Sequence, residues 1–275
     1  MTQPFPSVPT ERRWRPTPLV GASLAGHAAA LGVVALRPAV WPWAVGGILA
    51  DHAVLTLSGL WPRSSLLGAN WTHLPAHAAA RGEVAVTIDD GPDPEVTPRV
   101  LEILGQHRAV ATFFCVGERV AAHPELAAAI VRAGHAIENH SQRHLHRFAT
   151  LGPRAMAHEI IAAQRVIAAV TGEAPRFFRA PAGLRNPFLD PILSGLGLRL
   201  ATWTRRGFDT VAMRTDVVLA RLLRRLGAGD IVMLHDGHAA RTRTGRPVVV
   251  EVLPRLLEAI AASRLRPVTL RSALA

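Results

Sequence analysis

The sequence has no lysine, no tyrosine and a single cysteine, Cys115. One cysteine excludes a disulfide framework within the chain and any zinc cluster that needs several thiolates. Aromatic residues make up only 5% of the 275 residues and no nucleic-acid reader motif is present, so we expect no nucleic-acid partner. Charged residues are also scarce, at 19% against 49% hydrophobic residues, which excludes a disordered chain and leaves ample apolar material for a core.

All 31 basic residues are arginine, and with 20 acids they give a formal net charge of +11. The excess is spread along the chain, which favours a solvated, arginine-rich surface as its explanation. Attraction to anionic lipid headgroups, or to a phosphorylated substrate, is the alternative.

Residues 1–80 contain two long apolar stretches and only two acids, Glu11 and Asp51. The stretches, Pro18–Leu36 and 39–61, are each long enough for a helix that crosses about 30 Å of hydrocarbon. Tryptophans at the ends of the second stretch resemble the aromatic belt of a membrane interface: Trp41, Trp43 and Trp61. We therefore expect two transmembrane helices, with membrane lipid as a partner.

A pair of helices buried against a soluble domain is the alternative to two membrane spans. Asp51 lies in the middle of the second stretch, where a carboxylate is costly and is expected to face a partner. His27 in the first stretch, or the neighbouring His52, is the expected partner. A cleaved signal peptide is disfavoured, because no small-residue cleavage site follows Leu36.

The arginines that flank the two stretches predict the orientation of such a hairpin. Arg12, Arg13 and Arg15 precede the first stretch and Arg63 follows the second, which favours the cytoplasm for both ends. Arg37, in the turn, opposes this orientation. If only one stretch spans the membrane, the main domain faces the periplasm or the outside instead.

From residue 83 onward, short runs rich in β-branched residues alternate with amphipathic helical patterns. This alternation predicts an α/β fold with a mostly parallel sheet, either open or closed into a barrel. The predicted organisation is a basic segment at 1–16, two membrane helices within 17–62, a linker at 63–81 and a folded domain at 82–275.

Polar residues follow several of the predicted strands, and active sites in such folds gather where parallel strands end. Asp89 and Asp90 precede a Gly-Pro turn that lets adjacent carboxylates converge on one pocket, although a solvated turn would have the same sequence. His140 and His144 would share one face of a helical turn, so that both imidazoles could reach one metal ion. A pair at this spacing also arises by chance in a chain with 13 histidines.

Three further groups of reactive residues follow later strands. Arg179 precedes Ala-Pro-Ala-Gly, where an arginine can clamp a carboxylate and the backbone can leave N–H groups free to hold an oxyanion. Trp203 and Asp209 offer an aromatic wall and an acid, although Trp203 is equally plausible as a core residue. His235 ends the last of these strands. An ordinary surface loop would also account for Arg179. A lone histidine such as His235 would also be explained by a structural role.

The order and spacing of these runs resemble the polysaccharide deacetylase, or NodB-homology, family of carbohydrate esterases (carbohydrate esterase family 4). The resemblance covers about residues 82–271. It rests on six runs in order: Thr87–Pro92 (TIDDGP), Thr112–Gly117 (TFFCVG), His140–His144 (HSQRH), Arg179–Gly183 (RAPAG), Trp203–Asp209 (WTRRGFD) and Leu234–His235 (LH).

This resemblance implies a distorted (β/α) barrel. Together with the two expected membrane helices and the arginines that flank them, it leads us to expect a protein of the bacterial inner membrane whose catalytic domain faces the cytoplasm. The implied activity is metal-dependent removal of an N-acyl group, such as N-acetyl, from an amino sugar in a polysaccharide or lipid-linked glycan. One divalent ion, zinc or else cobalt, nickel or manganese, would be held by Asp90, His140 and His144. Asp89 would be the catalytic base and His235 the general acid.

Supporting and substrate-binding roles also follow from the resemblance. Arg179 would orient the base, and Asp209 would support the acid. The residues that would bind the sugar are Ala182, Trp203 and Leu234. The family usually has an aromatic residue in place of Ala182, so one wall of the groove for a long polymer is absent. Two alternative functions are compatible with the same fold. The protein could be a membrane-anchored, carbohydrate-binding pseudoenzyme or a metal-dependent phosphoesterase.

Overall fold

The computed structural model of the protein describes residues 14–275. Most of the predicted basic segment, including Arg12 and Arg13, lies outside the described residues. The described chain begins with two apolar helices and continues into an α/β domain.

The two apolar helices form a hairpin. They are α1 (Pro18–Leu36) and α2 (Trp41–Leu60), joined by a 3-10 turn at Pro38–Val40. The Thr17 hydroxyl caps α1 by accepting a hydrogen bond from the Val20 N–H at 3.3 Å. The Thr17 hydroxyl also donates to the carbonyl of Leu66, which follows α2, at 2.6 Å, so both ends of the hairpin lie on the same side.

The surface of the hairpin is apolar and almost wholly exposed. Both helices are long and apolar enough to cross a membrane. Leu31 is 72% exposed and Leu36 is 85% exposed, so these side chains have no packing partner in the rest of the described chain. The alternative of two helices buried against a soluble domain is therefore wrong, and the hairpin is consistent with a membrane anchor.

A polar cluster joins the two helices at their midpoints. The Ser23 hydroxyl donates to the Asp51 carboxylate at 2.7 Å, and His27 Nδ1 lies 3.9 Å from the same carboxylate. His27 Nε2 is 3.1 Å from Nε2 of His52. The expected partner His27 is confirmed, whereas Ser23, the closest partner of Asp51, was not predicted.

The α/β domain contains eight strands and eight further helices among the described residues. The strands are β1 (Glu83–Asp89), β2 (Thr112–Cys115), β3 (Ala136–Asn139), β4 (Phe177–Phe178), β5 (Arg199–Leu200), β6 (Arg205–Arg206), β7 (Ile231–His235) and β8 (Arg266–Val268). The helices are α3 (Ala76–Ala80), α4 (Thr97–Gln106), α5 (Gly117–Ala122), α6 (Pro124–Arg132), α7 (Pro153–Thr171), α8 (Leu189–Gly195), α9 (Thr215–Leu223) and α10 (Val248–Ala262).

All strand pairs are parallel, in the order β5-β4-β3-β2-β1-β7-β6, with β8 beside the start of β1. The gap between the two sides of this curled sheet is bridged by the segment predicted as a linker. Trp71 pairs with Ala201 after β5, and His73 pairs with Asp230 before β7. This segment is therefore part of the folded domain, and the strands curve into a distorted barrel.

Side chains alternate between the inside of the barrel and the helical layer along each strand. On β7, Ile231 packs in the inner cluster with Phe114 and Phe177, whereas Val232 and Leu234 pack against the helices. The carboxyl ends of β1, β3, β4 and β7 consequently direct their inner side chains to one end of the barrel.

The last turn of α2 is docked on the domain through Gly59. The Arg185 N–H donates to the Gly59 carbonyl at 3.2 Å, and Gly59 has no room for a side chain because a Cβ there would overlap the Arg185 carbonyl oxygen. The end of the hairpin is therefore held against the loop that follows β4.

Replacement of Gly59 by alanine is expected to destabilise the protein, because the overlap must be relieved by moving α2 or the loop. Overpacking of this kind costs about 1–3 kcal/mol, or a decrease in Tm of about 2–4 °C per kcal/mol for a chain of this size. Thermal unfolding in detergent measures the change. Gly47→Ala is the matched control, since nothing lies within 4 Å of its added Cβ. Equal Tm values for the two variants would contradict the docking.

Candidate active site

Two adjacent carboxylates meet in one cleft because the backbone turns at the end of β1. Asp89 is the last residue of the strand, and its side chain points to the same side as Thr87. Asp90 has a φ of 76°, in the left-handed region, which redirects its side chain from the opposite face of the strand. Both carboxylates line the cleft, so the predicted convergence is confirmed.

His140 and His144 also meet in this cleft, although not for the predicted reason. The segment between them is a loop in which Ser141 and His144 have φ values of 66° and 50°. The Ser141 N–H donates to the Asn139 side chain at 2.9 Å, and the His144 N–H donates to the Ser141 hydroxyl at 3.0 Å. The predicted helical turn is wrong. Side-chain hydrogen bonds hold the loop and bring the imidazoles together.

Three potential metal-ligand atoms converge at this point. Asp90 Oδ1 lies 3.2 Å from Nε2 of His140 and 3.2 Å from Nε2 of His144. Asp90 Oδ1 is buried and accepts no hydrogen bond from the described residues. A buried carboxylate oxygen without a donor needs another source of positive charge, and a cation between the three atoms would supply it.

The protonation states of these groups fit a cation. His140 Nδ1 donates to the Arg179 carbonyl at 2.8 Å, which leaves the lone pair on Nε2. Burial, reinforced by the neighbouring His140, lowers the pKa of His144 to about 4, so that its imidazole is neutral. Burial alone would raise the pKa of Asp90, but the neighbouring imidazoles of His140 and His238 bring it well below its usual range.

Arg179 fixes the other carboxylate. Its guanidinium is fully buried and donates from Nη1 to Asp89 Oδ1 at 2.5 Å and to the Thr87 hydroxyl at 2.8 Å. Nη2 donates to the Thr202 carbonyl at 2.8 Å, and the guanidinium carbon lies 4.0 Å from the centre of the Phe114 ring. Burial lowers the pKa of Arg179, and the Asp89 charge opposes this. The pair leaves the second carboxylate oxygen of Asp89 available to the cleft.

His235 forms an equivalent pair with Asp209. Asp209 accepts from His235 Nδ1 at 2.9 Å and from the His235 backbone N–H at 2.8 Å, so that one carboxylate fixes both the ring and its backbone. Burial alone would lower the pKa of His235, but Asp209, together with the charges of Asp89 and Asp90, raises it to about 9. The imidazole is therefore protonated at neutral pH and can act as an acid.

The cleft has a volume of about 270 Å³. Ala182, with a φ of 55°, lines it, and the Ala182 N–H donates no hydrogen bond within the described part of the chain. Trp203 lies in the wall and is 7% exposed. Its ring packs over Gly183, where a Cβ would lie 2.5 Å from a ring carbon.

Leu234 requires a correction. It is fully buried in the cluster between the sheet and the helices and does not line the cleft. The alternation along β7 instead directs Met233 and His235 into the cleft. Met233 is therefore the apolar residue of this strand that faces the site.

His238 is the main cleft residue that was not predicted. Its Nδ1 lies 3.3 Å from Asp90 Oδ2, and its Nε2 lies 3.1 Å from a guanidinium nitrogen of Arg119. Its position three residues after His235 was the available signal. Other unpredicted residues that line the cleft are His146, Arg206 and Thr210.

The pH profile of kcat/KM is expected to fall off at high pH as His235 loses its proton. Replacement of Asp209 by asparagine is expected to move this alkaline limb to lower pH. The pKa of His235 is raised, so the acid is present below about pH 9 and is lost as the pH rises through that value. Removal of the carboxylate lowers this pKa by about one to three units. A pH series of kcat/KM for Asp209→Asn and the wild type measures the shift. A uniform loss of rate with an unmoved limb would contradict the role of Asp209.

Comparison with known sequences identifies relatives of the α/β domain. The family model described as polysaccharide deacetylase matches residues 77–201. A chitooligosaccharide deacetylase of Bradyrhizobium sp. (strain ANU 289) is 34% identical over 184 residues, which cover 64% of this chain and 84% of that protein.

Solved structures give the same result for the fold. A peptidoglycan N-acetylglucosamine deacetylase superposes with a TM-score of 0.67 at 26% identity and covers 74% of this chain and 92% of that chain. A carbohydrate esterase family 4 pseudoenzyme from Bacillus anthracis has the same TM-score and identity, covering 75% of this chain and 69% of that chain. The predicted distorted barrel is confirmed. One neighbour with this fold is a pseudoenzyme, so the fold alone does not establish activity, and the residues in the cleft decide it.

Proposed function

The chain belongs to the polysaccharide deacetylase family, whose members hydrolyse amide C–N bonds, and from that premise we propose that it removes an N-acyl group, normally acetyl, from an amino sugar of a glycan. The observation that carries the proposal is the complete set of groups in one cleft. A candidate metal site, an arginine-held carboxylate and a carboxylate-held imidazolium all line it. Sugar binding alone requires none of these.

The metal site suits a divalent cation. Asp90, His140 and His144 would hold the ion through one oxygen and two nitrogen atoms, a donor set typical of catalytic zinc with coordination positions left open. Zinc is therefore the proposed ion, and cobalt, nickel or manganese can take the same ligands. When bound, the ion supplies Lewis acidity that polarises an acyl carbonyl and acidifies water.

The remaining chemistry is assigned to residues of the chain. Asp89 accepts a proton from the attacking water, while Arg179 keeps its carboxylate aimed into the cleft. The Ala182 N–H donates to the oxyanion of the tetrahedral intermediate. His235 then donates its proton to the departing nitrogen, and Asp209 stabilises the imidazolium before that step. Water and the amide are converted to a carboxylate and a free amine.

The proposed substrate is an N-acetylated glycan, either polymeric or lipid-linked. The relatives named above act on chitooligosaccharide and on peptidoglycan. Trp203 contributes apolar surface to the wall of the cleft, against which a sugar can pack, whereas the small side chain of Ala182 adds little to that wall. Only a small part of a polymer is therefore held at the site.

Assays of the purified protein on N-acetylated oligosaccharides and on phosphate esters test the proposed function. We expect acetate release and no phosphate release. Phosphate release without acetate would support a phosphoesterase, and tight sugar binding without turnover would support a pseudoenzyme.

We also propose that the hairpin anchors the enzyme in the bacterial inner membrane with the α/β domain on the cytoplasmic side. Arg15 and Arg63 flank the hairpin on the side of the domain and favour this orientation, whereas Arg37 opposes it. Reporters fused after Ala275 provide the test. We expect a fusion to green fluorescent protein to be fluorescent and a fusion to alkaline phosphatase to be inactive. An active alkaline phosphatase fusion would instead place the domain outside the cytoplasm.

A further inference from the structure

A second cleft adjoins the active site, and we call it the arginine cleft. Its volume is about 890 Å³, and among the described residues no carboxylate lines it. Its arginines are Arg63, Arg205, Arg206, Arg221 and Arg224. Trp203 and Arg206 line both clefts, so the two clefts adjoin at these side chains.

Most of the positive charge in this cleft is not compensated. Arg205 is neutralised, because its Nε donates to the Asp230 carboxylate at 2.9 Å. For the other four arginines, no carboxylate of the described residues lies within the 4.0 Å of an ion pair. Four guanidinium groups around one cavity repel each other, and an anion between them would remove that repulsion.

Two of the guanidinium groups are held in place without a carboxylate. Arg206 lies 5.2 Å from the centre of the Trp203 ring and 4.7 Å from that of Phe208, and Arg221 packs 5.5 Å from Phe208. Arg206 Nε is buried and has no hydrogen-bond partner in the described chain. Arg221 Nη1 donates to the Gly207 carbonyl at 3.2 Å, which also holds this group in place. Guanidinium groups that are fixed in this way and keep further N–H donors are suited to recognition of phosphate oxygens.

The arginine cleft is also fixed at the end of the apolar hairpin. Trp61, Pro62 and Arg63 follow α2 directly and form one wall of the cleft. Pro62 packs against Gly183 of the loop that carries Ala182, since a Cβ on Gly183 would lie 2.9 Å from the Pro62 Cβ. If the hairpin is in the membrane, the cleft opens beside the lipid headgroups.

We infer that the arginine cleft binds the phosphate or diphosphate of a membrane-anchored glycan while the N-acyl sugar of the same molecule occupies the active site. This assignment rests on the proposed deacetylase function and specifies its substrate class. The charge requires an anion with several oxygens, the shared wall places that anion next to the reacting sugar, and the hairpin places both at the membrane surface.

The test uses the full-length chain in detergent micelles and two substrates. One is tetra-N-acetylchitotetraose, which is neutral, and the other is N-acetylglucosaminyl diphosphoryl polyprenol. The double variant Arg221→Gln/Arg224→Gln removes two cations of the cleft without touching the catalytic groups. Arg154→Gln/Arg165→Gln, two exposed arginines on α7, is the matched control.

The wild type is expected to prefer the diphosphate-bearing substrate. In Arg221→Gln/Arg224→Gln, kcat/KM for that substrate should fall at least about tenfold, the loss expected for one charge-assisted hydrogen bond. The value for the neutral substrate should stay within about twofold, as should both values in the control variant. Equal losses on both substrates, or no preference in the wild type, would overturn the inference.

Two binding measurements separate the other outcomes. Calorimetric titration with inorganic diphosphate should show binding that weakens at least about tenfold in Arg221→Gln/Arg224→Gln. This titration tests anion binding by the arginine cleft even if neither substrate is turned over. Diphosphate binding without turnover would mean that the proposed deacetylase function fails while the anion site stands. Binding to phosphatidylglycerol vesicles tests bilayer headgroups as the source of phosphate. A variant that loses vesicle binding but keeps full kcat/KM on the diphosphate substrate would refute the assignment.

Discussion

Replacement of His140 by alanine is expected to remove both the metal and the activity. His140 Nε2 is one of the two imidazole nitrogens beside the orphaned oxygen of Asp90, and the hydrogen bond from Nδ1 to the Arg179 carbonyl fixes its direction. Loss of one oxyanion donor costs about a hundred- to a thousandfold in rate. Loss of the ion should cost more, so acetate release is expected to fall by more than about a thousandfold.

Metal analysis and turnover, measured on the same preparation, test this result. The wild type should retain about one equivalent of metal through gel filtration, and His140→Ala should retain almost none. His158→Ala is the control, because His158 is exposed on α7 and away from the cleft. Unchanged metal content and full turnover in His140→Ala would rule out the assigned site.

Replacement of Asp89 by asparagine is expected to slow turnover strongly while the metal is retained. The amide keeps the shape of the side chain but cannot accept the proton of the attacking water. Proton transfer by a positioned side chain contributes about 10²–10⁴ in rate, and kcat should fall by that factor. Metal content should stay at the wild-type level, because Asp89 does not belong to the ligand cluster.

The loss in Asp89→Asn must be distinguished from a disturbance of Arg179, whose buried charge also loses its counter-ion. Thr87→Val is the appropriate control, because it removes another acceptor of the same guanidinium and leaves the carboxylate in place. Thr87→Val should retain most of its turnover. If it loses as much as Asp89→Asn, the carboxylate orients the site rather than acting as its base.

Motifs at strand ends predicted the fold and most of the site, because the periodicity of an α/β domain determines where each strand stops. The pairing of Asp89 with Arg179 and of His235 with Asp209 agrees with the roles implied by the family. The sequence did not reveal how His140 and His144 meet, since the loop between them depends on side-chain hydrogen bonds rather than on helical periodicity. The expectation for Leu234 was wrong because side chains alternate along β7, which turns Leu234 towards the helices and Met233 and His235 towards the cleft.

Features made by distant segments could not be predicted. Residues 63–81 looked like a linker because their pairing partners, Ala201 and Asp230, are more than a hundred positions away. The arginine cleft combines Arg63 with arginines of two later segments, β6 and the end of α9, and each of these residues alone is an ordinary surface cation.

The central claim is that a metal site in this cleft supports hydrolysis of an N-acyl sugar, and one measurement tests it most directly. Acetate release from an N-acetylglucosamine oligosaccharide is followed for the purified protein, for the protein stripped with a chelator, and after one equivalent of zinc is restored. We expect activity, loss of activity and recovery, with no recovery in His140→Ala. Acetate release that persists at the wild-type rate after the metal has been removed would contradict the account.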